Sequence, residues 1–117
     1  MRVRIAGKEH NLNPEEREEA NTAFQMSLSK LRTEDPEFLE LLRGVIEARL
    51  DGIARYGAES YCDLGSKGVF VDVNRKHTRL KRHFWEEKRL GSEKIEDSMF
   101  DNIVYLFLLF KSHLRSK

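Results

Sequence analysis

Asp97 and Asp101 stand four residues apart at the head of the most apolar segment of the chain. In a helix, residues i and i+4 share a face, so two carboxylates at that spacing reach one divalent cation. Val104 and Leu108 continue the same line, and every residue from Ile103 to Phe110 is aliphatic or aromatic, so this helix is expected to be buried nearly all round. A carboxylate above an apolar stripe is paired, metal-bound or at a cleft edge. The ordinary alternative is the helix start itself, where the dipole favours acids. That explanation covers Asp97 well. It covers Asp101 less well, because Asp101 lies beyond the first turn.

A second i, i+4 acidic pair, Glu47 and Asp51, sits opposite the apolar stripe of an earlier helix, beside Glu40. A solvated face is its plain reading. If that face instead lines a groove shared with the last helix, Glu47, Asp51, Asp97 and Asp101 surround Mg²⁺, as carboxylates on facing helices do in bundles. Cations come from a third helix, where Arg75, Arg79 and Arg82 share a face flanked by Lys76 and Lys81. Guanidinium groups match phosphate oxygens bidentately, although Asp72 and Glu86 interrupt the face as they would on a salt-bridged surface. His77 falls with Val73, Leu80 and Phe84 and reads as a packing residue. Trp85 reads as core filling. Cys62 has no basic neighbours in sequence, and Gly57, Gly65 and Gly68 lack the spacing of a phosphate loop.

These residues need helices to hold them, and the sequence supplies the signals. Val3 and Ile5 alternate with Arg2 and Arg4, so a short strand and hairpin is predicted over residues 1–12. Asn13-Pro14-Glu15-Glu16 caps a helix running to about Leu31, with a thin apolar face of Ala20, Ala23, Phe24, Leu28 and Leu31. Asp35-Pro36-Glu37 repeats the start signal for a helix over 36–56 that Gly57 ends. A loop over 57–68 precedes a third helix over 69–90. Gly91 ends that helix, and Ser92 caps the last one. The chain therefore reads as mainly α: a single domain over 1–117, with a four-helix, bundle-like body over 13–117 and a short N-terminal β-hairpin.

Composition narrows the setting. Lys plus Arg number 21 against 20 for Asp plus Glu, so charge gives no global reason to expect nucleic acid or an anionic membrane as partner. One cysteine excludes an internal disulfide framework. With no basic-then-apolar leader and no apolar run long enough to span a bilayer, a cytoplasmic setting is expected.

Read in order, RYG (55–57), LGSKGVFV (64–71), Lys76 with Arg79 and Leu80, and IEDSMFDNIVYLFLL (95–109) resemble a known pattern. It is that of the nucleotide-modification-associated domain family, found in phages and bacteria and distantly similar to the all-α NTP pyrophosphohydrolases of the MazG and dimeric dUTPase group. The resemblance spans about Tyr56 to Phe110. It matches Tyr56, Gly57 and Ser60 to a loop motif, Lys76, Arg79 and Leu80 to a middle motif, and Asp97, Asp101 and Tyr105 to a last-helix motif. Arg75 stands where that pattern has an aspartate. The resemblance implies nucleotide recognition, with Asp97 and Asp101 on Mg²⁺ and Lys76, Arg79, Arg75 and Tyr56 on the nucleotide. If there is turnover, it implies metal-dependent hydrolysis of a nucleoside triphosphate. The rival reading is a non-enzymatic adaptor or inhibitor acting through its surface. The apolar circumference of residues 103–110 adds an expectation of a homodimer or higher homo-oligomer.

Overall fold

The structure is a computed structural model and describes residues 4–5, 8–9, 12–61, 65–88 and 94–115. Four helices make up most of it: α1 (Pro14–Glu34), α2 (Pro36–Tyr56), α3 (Gly65–Phe84) and α4 (Ile95–Arg115). The mainly α expectation holds. Ahead of the helices, β1 (Arg4–Ile5) and β2 (Lys8–Glu9) pair antiparallel over two residues each. That ladder is too short to constitute the hairpin expected over 1–12, whose turn lies outside the described residues. No described helix is long and apolar enough to cross a membrane.

Local chemistry sets most helix ends. Asn13 and Glu16 form a reciprocal capping box, the Glu16 N–H donating to Asn13 Oδ1 at 2.9 Å, with Pro14 at the first helical position. α1 continues to Glu34, beyond the expected Leu31. It stops only where Asp35, held in a non-helical conformation before Pro36, cannot extend it. Asp35 then starts α2 by accepting the Phe38 N–H at 3.1 Å. Gly57 ends α2 as expected, with φ at 84°.

α3 departs from its predicted bounds at both ends. It begins at Gly65 rather than 69, because Gly65 adopts φ of 64° and turns the chain into the helix early. It ends at Phe84 rather than 90, where the N–H groups of Trp85 and Glu86 both return to the Lys81 carbonyl and Glu87 takes a positive φ of 56°. The expected loop over 57–68 is correspondingly shorter. Cys62, Gly91 and Ser92 lie outside the described residues.

The chain divides into two compact units, Met1–Arg43 and Gly44–Lys117. The first contains α1 and the start of α2, and no residue of α1 is buried. The second contains the rest of α2 with α3 and α4, and α3 and α4 pack along each other. Its core is small: Val45 from α2, Val69 and Val73 from α3, and Leu108 from α4. Polar groups join it. Ser98 is fully buried, and the Ser66 and Ser112 hydroxyls meet at 2.9 Å. Gly44 lets α2 approach α4, since a Cβ there would lie 2.7 Å from the ring tip of Phe100.

Three packing expectations are corrected. Of residues 103–110 only Leu108 is buried, while Ile103, Leu106, Phe107 and Phe110 are exposed. The helix carries more apolar circumference than its described neighbours cover. His77 is exposed, because only Val73 of its expected cluster lies in the core. Trp85 is 82% exposed, since α3 ends one residue before it.

Candidate functional site

Within the second unit, α2, α3, α4 and the turn after α2 line an open cavity of about 240 Å³. The α2 wall is low because Ala48 and Gly52, one turn apart, remove side-chain volume there. Gly52 has nothing within 4 Å of where its Cβ would stand. Arg49 from α2, with Ser60 and Tyr61 from the turn, forms a second wall. Asp72 comes from α3, and Asp101, Val104, Tyr105 and Leu108 come from α4. The apolar base is Val104 and Leu108, the same two residues that extend the line of Asp101 in sequence.

The polar groups are organised by charge. Lys76 Nζ lies 3.1 Å from Asp101 Oδ2; the lysine side chain is 12% exposed and the aspartate side chain 46%. Arg75 pairs with Asp72 at 3.1 Å, one turn earlier on the same helix. Tyr105 registers all four groups. Burial raises its hydroxyl pKa above the ordinary 10.0, Asp72 and Asp101 push it further, and Lys76 and Arg75 partly oppose them. At neutral pH Tyr105 is thus a protonated donor beside two carboxylates. At the other wall, Arg49 lies over the Tyr61 ring at 5.8 Å from its centroid and donates to the Ala58 carbonyl at 3.0 Å. Lys111 Nζ lies over the same ring at 5.4 Å.

The predicted site residues are distributed unevenly around this cavity. Asp101 lines it and Lys76 is bound to Asp101. Arg75 approaches through Asp72. Arg79 is partly buried on α3 and Tyr56 is exposed. Asp97 and Glu47 are exposed, and Asp51, also exposed, pairs with Arg55 at 3.2 Å. Of the four carboxylates grouped by spacing, only Asp101 lines the cavity. Among the described residues no three His, Cys, Asp or Glu side chains gather as metal ligands. Asp97, Glu47 and Asp51 do not join Asp101 in the cavity lining, and Lys76 holds one Asp101 oxygen.

The residues missed in the sequence are Asp72, Arg49, Tyr61 and the small pair Ala48 and Gly52. Asp72 had a signal, lying four residues before Lys76, but it read as an interruption of the arginine face. Gly52 had one too, since a glycine inside a helix costs roughly 0.5–1 kcal/mol relative to alanine and calls for a packing or functional reason. No family model, curated protein or solved structure matches the chain.

Proposed function

We propose that this cavity recognises a nucleotide or nucleoside. The observation that carries the reading is convergence. Ser60 from the loop motif and Asp101 and Tyr105 from the last-helix motif line one cavity, and Lys76 from the middle motif is bound to Asp101. Asp72 and Asp101 accept from ligand hydroxyl or amino groups, and the Tyr105 hydroxyl donates. The volume is a further guide: small-molecule sites typically span roughly 300–1,000 Å³, so a cavity of about 240 Å³ suits a sugar and base better than a whole triphosphate. Self-association through the exposed α4 stripe of Met99, Ile103, Leu106, Phe107 and Phe110 belongs to the same proposal.

Thermal melting with a panel of ribo- and deoxyribonucleosides and their 5′-mono- and triphosphates, with and without Mg²⁺, tests it. A ligand at a hundred times its Kd stabilises the folded state by about 2.7 kcal/mol, a rise of several degrees in Tm. No shift with any member of the panel rejects the reading. Pyrophosphate release in the presence of Mg²⁺ would add turnover to recognition.

A further inference from the structure

Resting on that reading, we infer that the cavity has a direction, and that Arg49 and Lys111 form the clamp for the ligand's phosphoryl group at the Tyr61 end. Charge compensation separates these two residues from Arg75 and Lys76, the cations at the other end of the cavity. Arg43, Arg55, Arg75, Lys76, Lys88 and Arg115 each pair with a carboxylate. Among the described residues Arg49 and Lys111 do not: Arg49 is held by a backbone carbonyl and an aromatic ring, and Lys111 by that ring. A cation held by a ring or a carbonyl keeps its full charge for an incoming anion, whereas one held by a carboxylate does not. Two such charges share one ring, and Ser60 adds a hydroxyl donor on the same wall.

At the opposite end, Asp72 and Asp101 already have their cations, and their remaining lone pairs suit neutral donors. Asp101 and Lys111 are ten residues apart on α4, about 15 Å along the axis. Lys111 is not itself a lining residue, and its head reaches the Tyr61 wall by lying over that ring. A nucleotide laid along α4 thus places sugar or base between Asp72, Asp101 and Tyr105, and its phosphoryl oxygens between Arg49 and Lys111. This assignment moves the phosphate away from Arg75, Lys76 and Arg79, where the sequence pattern placed it.

The test is calorimetric titration of wild type, Lys111→Met and Lys111→Arg with pyrophosphate, and with one nucleoside beside its 5′-monophosphate. Circular dichroism establishes that each variant is folded. The clamp predicts that wild type prefers nucleotide over nucleoside, and that Lys111→Met lowers this preference and the pyrophosphate affinity by at least about tenfold, the effect of one charge-assisted contact. Lys111→Arg restores both. Equal binding of nucleoside and nucleotide, unchanged in Lys111→Met, overturns the clamp and leaves nucleoside recognition standing. Pyrophosphate binding that is lost in Lys111→Met, with no nucleoside bound, supports the clamp and rejects nucleoside recognition. Binding of none of the three probes overturns both.

Discussion

Tyr105 and Asp101 are one turn apart on α4, and each makes a distinct prediction. The Tyr105 hydroxyl has a pKa raised in the folded protein, first by burial and then by Asp72 and Asp101. A raised folded value means the stabilisation is complete below the unfolded pKa and is lost as pH climbs through the folded one. Wild-type stability should therefore decline from about pH 10 upward, and Tyr105→Phe should flatten that decline while leaving pH 7 little changed. Urea midpoints across pH 7–11 measure it. Asp101→Asn removes the ion-pair partner of a lysine whose side chain is 12% exposed. The half-exposed aspartate limits the loss to about 1 kcal/mol, read as a lower urea midpoint at neutral pH. Asp101 was legible from its own helix, because Val104 and Leu108 extend its line at helical spacing. Asp72 was harder to recognise, because its importance comes from a carboxylate on a different helix.

At the scale of elements, the small residues of α2 do two different jobs. Gly44 admits the ring of Phe100, so Gly44→Ala must displace that ring, and overpacking of this kind costs about 1–3 kcal/mol against a helix-propensity gain of roughly 1. Gly52 has open space around its Cβ position, so Gly52→Ala should stabilise by about 0.5–1 kcal/mol while narrowing the cavity it lines. Opposite shifts in Tm for the two variants, with weaker ligand binding in Gly52→Ala, are the expected result. Helix starts at Asn13-Pro14 and Asp35-Pro36 could be read directly, because caps and prolines act within a few residues. The ends of α3 could not. A glycine entering a helix at φ of 64° and a glutamate leaving it at 56° are backbone states that apolar periodicity does not encode. The cavity wall formed by Tyr61 also escaped a periodic reading, since it comes from a turn packed against two helices.

For the whole molecule, the excess apolar surface of α4 is the feature most open to test. Phe107 is 60% exposed on a stripe with Ile103, Leu106 and Phe110. Phe107→Glu should leave stability within about 0.5 kcal/mol, as surface substitutions do, and shift the protein toward a 13.8 kDa species in sedimentation at micromolar concentration. Wild type sedimenting only as that species would count against self-association. The central claim concerns the cavity, and amide ¹H–¹⁵N spectra titrated with the nucleoside and nucleotide panel test it most directly. Shifts centred on Ala48, Gly52, Tyr61, Asp72, Asp101 and Tyr105 are predicted. Shifts confined to α1 and the outer face of α4, or none with any member of the panel, would contradict it.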